Sequence, residues 1–431
     1  MHILAVKTKW DIIIVGAGPA GSAAGYTLAK KGFDVLILER GRQAGYKEVF
    51  GGRVYAEPLK EIYGDELNKA PIHRWVKKER LSFVDGEAAT TLEYHSTSST
   101  SFTTYLPQLA RWMADKASEA GALVVEEVTV EKLLYENGRV TGVESGGDRV
   151  YADLVIDAEG VNRLLLEGLG LVEKLKPEQV AVGAKEVIKL GEDKINERFG
   201  LEKGDGMAWL LMGSITDYIP GGAFIYTNKD SVSIGLVLHL GHAIREVRDH
   251  ISKMVEKLRL HPLLRNYWQD GDIMEYGGHL TPEAGPAMMP KKLALNGLLI
   301  TGDAGGLLLN VGYTIRGVDY AAYTGYLAAK AAEEAHNKGG FTEENLRVYE
   351  GMLKNSFVYK DLTRLTGMQK LYNDPEMFKA FPKLAVGTMR NMFELGLETP
   401  GIWRSFSEAR KEVGLGLISL ALKGYSLMKK M

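Results

Sequence analysis

Gly16, Gly18 and Gly21 stand in the run Gly16-Ala17-Gly18-Pro19-Ala20-Gly21, and Glu39 follows about twenty residues later. Glycines at this spacing allow a tight turn, close approach of backbone N–H groups to a phosphate, and close helix–strand packing. An acid at that offset is placed to accept hydrogen bonds from ribose hydroxyls. The chemistry is the holding of a dinucleotide. The elements it needs are all in place. Ile12-Ile-Ile-Val15 is a short apolar, β-branched strand. A helical run follows to Lys31, so its free N–H groups and positive dipole end face the turn. A second strand, Val35-Leu-Ile-Leu38, then delivers Glu39. The pattern predicts a dinucleotide-binding βαβ unit.

Two later stretches repeat this logic. Asp153-Leu-Val-Ile-Asp157 runs into Ala158-Glu159-Gly160-Val161-Asn162, and Gly297-Leu-Leu-Ile-Thr runs into Gly302-Asp303-Ala-Gly-Gly306. Each is a buried strand that ends in a turn of small residues, where ligands lie in open α/β sheets. Asp303 can cap a helix and still face a ligand, because such an end is rich in donors. The segment Leu309 to Gly317, which includes Gly312, Thr314 and Ile315, leads into a helix reaching His336. Gln43 to Arg53, with Gly51 and Gly52, reads as a loop that must approach something flat or charged.

Between these motifs, a short helix is expected around Pro58 to Tyr63, then β-rich sequence to Thr104. Leu106 to Ala120 is an amphipathic helix with Leu109, Met113 and Ala117 on one face. A strand at Leu123-Val-Val125 and a hairpin at Asn137-Gly138 follow. From Val180 to Leu280 strand signals dominate, with one helix near Ala243 to Leu258. That predicts an antiparallel sheet inserted as a second domain. After Phe341 the chain reads as helix.

Composition narrows the function. The 431 residues are 45% apolar and 25% charged with a net charge of −2, which argues against a general nucleic-acid binder. No cysteine is present, so the chain has no disulfide, no catalytic thiol and no cysteine-ligated cluster of its own. No Ser-His-Asp or metal-ligand constellation stands out among nine scattered histidines, and no catalytic side chain or metal ligand is assigned. Few glutamines and many Lys and Glu suggest a thermophilic source. The segment Met1 to Lys9 is too short for a signal peptide and no apolar run reaches spanning length, so a cytoplasmic location is expected.

The three dispersed motifs together resemble FAD-binding flavoproteins of the glutathione-reductase-like type. Within that group the chain resembles the FixC and electron transfer flavoprotein–quinone oxidoreductase family. The matching segments include Glu39-Arg-Gly41, Gly51-Gly52, Ala158 to Asn162, Val182 to Glu186, Glu197-Arg-Phe199, Tyr226 to Lys229, Tyr276 to Gly285 and Leu309 to Asp319. The resemblance implies an α/β fold: a glutathione-reductase-like Rossmann domain with an inserted antiparallel β-sheet domain and a helical C-terminal region. On that division, residues 1–75, 105–178 and 293–338 bind FAD, 76–104 and 179–292 form the quinone or substrate domain, and 339–431 are helical. It implies FAD contacts at Gly16, Ala17, Gly18, Pro19, Ala20, Gly21, Glu39, Arg40, Gly51, Gly52, Val130, Gly160, Gly302, Asp303, Gly312, Thr314 and Ile315. Thr314 and Ile315 would bring a helix N-terminus to the flavin pyrimidine, and Gly221 and Gly222 would line a quinone pocket. Relatives usually carry Arg and Asp where this chain has Leu106 and Ala110, which removes one arginine contact.

The implied activity is electron transfer from an electron transfer flavoprotein to a membrane quinone. Relatives of mitochondrial type carry an iron–sulfur segment, which a cysteine-free chain cannot. The resemblance therefore implies a separate ferredoxin-like iron–sulfur subunit. The alternative in the same superfamily is a geranylgeranyl-reductase-type enzyme that saturates prenyl lipids. Val413 to Leu422 is apolar but too short to span a bilayer, and Gly401 to Met431 carries an excess of four positive charges. That combination predicts a contact with the inner face of the cell membrane.

Overall fold

The computed structural model describes Lys7 and residues 9–46, 51–247, 249–283, 285–366 and 374–417. The all-apolar runs read from the sequence form the centre of the first sheet. Its parallel core has the order β17 (Leu298–Ile300), β10 (Asp148–Asp157), β1 (Lys9–Val15), β2 (Val35–Leu38) and β7 (Leu123–Val125). Ile12, Ile13 and Ile14 are fully buried, as expected for a central parallel strand covered on both faces. The helix Pro19–Ala29 packs on one side with the helix Val318–Asn337, brought close by Gly325 against the Ala20 backbone. The hairpin of β8 (Lys132–Glu136) and β9 (Arg139–Ser145) extends β10, and β16 (Ala294–Leu295) closes the other edge. Asn137 and Gly138 both have positive φ at the tip, the type I′ geometry anticipated for Asn-Gly.

The second sheet has nine strands. Its order is β15 (Asp272–Pro282), β11 (Val180–Lys189), β14 (Ser231–His239), β13 (Gly221–Thr227), β12 (Asp205–Gly213), β4 (Arg74–Asp85), β6 (Ser101–Tyr105) and β3 (Gly51–Tyr55), with β5 (Ala88–His95) on β4. It is mixed rather than antiparallel throughout, because β12 and β4 run parallel. Two local expectations also change. Gly51-Gly52-Arg53 is not a loop but the start of β3, paired to Thr103, Thr104 and Tyr105. The single helix near Ala243 to Leu258 is two helices, Leu240–Glu246 and Ile251–Leu260. The chain turns extended at Val247, and the His250 ring caps the second helix by accepting from the Ser252 N–H.

Arg74 ties the sheet to its surroundings. It is 1% exposed and donates to the carbonyls of Asn228, Asp205 and Lys229 and to Asn196 Oδ1, at 2.6 to 3.1 Å. Arg74→Met leaves those acceptors buried without donors, so it should destabilise the fold by at least about 3 kcal/mol. A lowered midpoint of urea unfolding, read from the buried tryptophans, is the expected result; an unchanged midpoint contradicts this role.

Among the described residues after β17, the elements are helical except for the two-stranded ribbon β18 (Leu309–Asn310) and β19 (Ile315–Arg316). The helix Pro375–Phe393 lies across β4 and β12 and packs with Ile402–Glu412.

Candidate functional site

The C-terminal ends of the parallel strands open into a cavity of about 560 Å³, within the usual range for ligand sites. The second sheet forms its opposite wall. The glycine motif lies at its base. Gly16 has φ +98°, and a Cβ there would sit 2.5 Å from the Ala158 carbonyl oxygen, so only glycine fits this turn. Gly18 precedes the first helix without a side-chain cap, and Gly18, Pro19 and Ala20 line the cavity with that helix's unsatisfied end. Ala17 and Gly21 support the turn from behind. The Ala17 N–H donates to Glu39 Oε2 at 3.0 Å, and a Cβ at Gly21 would strike the Gly16 carbonyl.

Glu39 holds the turn as well as facing the cavity, since its Oε1 also accepts from the Gly41 N–H at 2.6 Å. Arg40, Gly52, Val130 and Gly160 line the same space. Gly160 has φ +84° and open space where a Cβ would stand. Asp157 lies behind it and accepts from the Glu159 N–H at 3.0 Å, while the Glu159 carboxylate accepts from the N–H groups of Leu165 and Leu166. Burial, with Glu159 beside it, pushes the Asp157 carboxyl upward. Asp303 lines the cavity from a short turn, Gly302–Gly305, where burial pushes its carboxyl up to about 6. Gly302 itself packs against Ala20, which a Cβ would approach to 2.9 Å.

The expectation for Thr314 and Ile315 needs correction. The next helix begins at Val318, with Gly317 before it, three residues later than expected. The reason is local: Asn310 and Ile315 pair as a two-stranded ribbon, with Gly312 at φ +84° and the Val311 N–H bonded to the Thr314 carbonyl. Gly317 and Val318 therefore bring the helix end to the cavity, and Ile315 lines it from the ribbon. Thr314 is directed to the Tyr55 hydroxyl instead, and Gly312 lines a second cavity. Gly51 lies in β3 beside the site but outside the lining.

That second cavity is about 190 Å³ and lies against β13, where Gly221 and Gly222 contribute to it. Phe83, Phe224, Phe378 and Phe381 give it an aromatic, apolar wall. Leu210, Val237 and Ile315 line both cavities, so the two adjoin. Sequence reasoning did not find the far wall of the larger cavity: Arg53, Tyr226, His279 and Glu283. Arg53 is ion-paired with Glu79. Burial pushes the Tyr226 hydroxyl up to about 12 and, with Arg40 opposite, lowers the His279 imidazole. Arg53 lies on β3, Tyr226 on β13, His279 on β15 and Glu283 just after it, so the wall forms only when these distant segments meet.

The cradle at Gly16, the uncapped helix end and the acid at Glu39 fit a dinucleotide, and comparison with known proteins specifies which. A family model described as FAD dependent oxidoreductase matches residues 11–166. Among solved structures, a geranylgeranyl bacteriochlorophyll reductase-like protein from Thermoplasma acidophilum superposes with TM-score 0.72 at 19% identity, covering 94% of this chain and 98% of that one. The flavin-dependent brominase Bmp2 has TM-score 0.65 at 16% identity over 94% of this chain and 98% of its own. The chain is an FAD-dependent oxidoreductase. It is 38% identical to the probable electron transfer flavoprotein-quinone oxidoreductase YdiS of Escherichia coli K12, over 96% of this chain and 98% of that protein. It is also 38% identical to Protein FixC of the same strain, over 97% and 99%. The chain therefore belongs to the FixC and electron transfer flavoprotein–quinone oxidoreductase family.

Proposed function

We propose that this flavoprotein takes electrons from an electron transfer flavoprotein, within a complex that includes a ferredoxin-like iron–sulfur subunit, and passes them to a membrane quinone. The observation that carries this reading is the aromatic cavity at Gly221 and Gly222, separated from the larger cavity only by the shared residues Leu210, Val237 and Ile315. The names of the E. coli relatives point the same way. Bound FAD supplies the two-electron redox chemistry. The chain binds and orients it in the manner of glutathione-reductase-like proteins, with residues 1–75, 105–178 and 293–338 as the FAD-binding part. Gly16, Gly18 and the first helix end take the pyrophosphate, Glu39 the ribose, and Gly160 with Asp303 the middle of the cofactor. Gly317 and Val318 would bring N–H groups and the positive helix end to the bound ring, where they would favour negative charge. Copurification with electron transfer flavoprotein subunits, followed by flavin-dependent quinone reduction, tests the reading. A flavoprotein that copurifies alone and ignores quinones would sink it.

We also propose that this smaller cavity reaches a bilayer. The helix Pro375–Phe393 lines it with Met377, Phe378 and Phe381, and leads on to exposed Phe393, Leu395, Leu397, Ile402 and Trp403. Arg404, Arg410 and Lys411 follow in the same helix as Ile402 and Trp403, Arg404 paired with Glu398 and Glu408; residues 418–431, which complete the basic apolar stretch, lie outside the described residues. Among the described residues no helix is long and apolar enough to cross a membrane. We therefore assign this patch to the inner membrane face. Ile402→Glu with Trp403→Glu should weaken cosedimentation with anionic liposomes by at least roughly tenfold, since each lost apolar burial is worth about 1.5–3 kcal/mol. Unchanged cosedimentation of the folded variant removes the membrane assignment.

A further inference from the structure

Glu283 stands between the two cavities. It follows β15 and lines the larger one, while its Oε2 accepts a hydrogen bond at 2.8 Å from the side-chain amide of Asn310, which lines the smaller one. Asn310 is itself fixed, because its Oδ1 accepts from the Gly312 N–H at 2.9 Å. Among the described residues the other carboxylate oxygen, Oε1, has a single long contact, from the Thr281 hydroxyl at 3.4 Å, and is the one left to carry a proton. The Glu283 N–H donates to the Gln179 carbonyl at 2.8 Å, which anchors the backbone. Glu178 precedes Gln179 and His279 lies on the strand leading to Glu283, and among the described residues no ion pair involves Glu283.

Burial without a counter-charge pushes the Glu283 carboxyl up to about 7. Other ionisable groups share its cavity, among them Glu159, whose carboxyl is also raised by burial. Arg53 is held as a cation by Glu79, Tyr226 is pushed far above neutrality, and His279 is held below its usual range. Asp303, pushed up to about 6, is the nearest competitor; Glu39, Arg40, Glu131 and Glu159 complete the set.

We propose that Glu283 is the proton reservoir of this electron-transfer site, taking up a proton when the cofactor is reduced and giving it to the quinone in the adjoining cavity. This rests on the quinone reading of that cavity. Reducing a quinone to a quinol adds two electrons and two protons and forms two O–H bonds. The reduced flavin supplies both electrons and the one ring proton it loses on oxidation. The second O–H bond forms as the Glu283 Oε1–H bond breaks, and the carboxylate is reprotonated from water at the next reduction. Added negative charge in the cavity raises a neighbouring carboxyl further, which is why uptake accompanies reduction.

The test compares wild type with Glu283→Gln, which keeps the shape and the acceptor for Asn310 but cannot titrate. Between about pH 7 and 9, uptake of two protons makes the wild-type flavin equilibrium change a hundredfold per pH unit, about 59 mV for two electrons. Glu283→Gln should show tenfold, about 30 mV per unit. Its reoxidation by a soluble quinone analogue should slow at least tenfold, while reoxidation by ferricyanide, which takes electrons without protons, stays at the wild-type rate. Equal slopes in the two proteins overturn the proposal, as does equal slowing with both acceptors. A wild-type enzyme that quinone does not reoxidise at all instead contradicts the quinone reading and, with it, the delivery half of the proposal.

Discussion

Glu39→Ala raises the FAD dissociation constant by roughly ten- to a hundredfold, because a lost hydrogen bond to a charged acceptor costs about 1.5–3 kcal/mol. The carboxylate does two things at once. It lines the cavity where the ribose is expected, and its two oxygens hold the Ala17 and Gly41 N–H groups at 3.0 and 2.6 Å. Removing it therefore loosens the phosphate-binding turn as well as deleting a ligand contact. Flavin retained through gel filtration, and the dissociation constant from fluorescence recovery, measure the loss. Equal constants in wild type and variant would falsify the assignment of Glu39.

Gly222→Leu acts at the other chamber. Gly222 sits on β13 opposite Val237 and lines the cavity of about 190 Å³. An isobutyl group there takes up room meant for a ligand, and packed surroundings yield little, so quinone turnover should fall by at least roughly tenfold. FAD content and flavin reduction by the upstream donor should stay close to wild type. Gly221 is unsuitable for this test, since its φ of +141° and a Cβ 2.0 Å from the Val237 carbonyl would disturb the fold itself. Unchanged quinone turnover in a folded Gly222→Leu protein places the quinone elsewhere.

The two experiments separate what the sequence carries from what only the folded chain carries. The turn at Gly16 to Gly21, its strand and helix, and the acid at Glu39 are local, so residue types and spacing were enough to read them. The same holds for Gly160 and Asp303, each at the end of an apolar strand. The helix begins three residues beyond Ile315, because the ribbon Leu309–Asn310 with Ile315–Arg316 intervenes and is too short to show a period. Gly51 and Gly52 read as a loop because glycine lowers strand propensity, yet pairing with Thr104 and Tyr105 overrides it. The parallel pairing of β12 with β4 joins Trp209 to Arg80, a contact no local pattern encodes. Glu283 and Asn310 lie in the matching segments Tyr276 to Gly285 and Leu309 to Asp319, yet no spacing there marks them as a pair, and their hydrogen bond appears only where the two cavities meet.

The proposed acceptor of the flavin's electrons is a quinone and not the double bonds of a prenyl lipid, the alternative that the family resemblance raises. Anaerobic reduction of the FAD-loaded protein, followed by rapid mixing with each acceptor, tests this directly. Fast, saturable recovery of oxidised-flavin absorbance is expected with a quinone analogue, and none with a geranylgeranyl lipid. Reoxidation by the prenyl lipid with formation of its saturated product, and none by the quinone, would contradict the quinone reading.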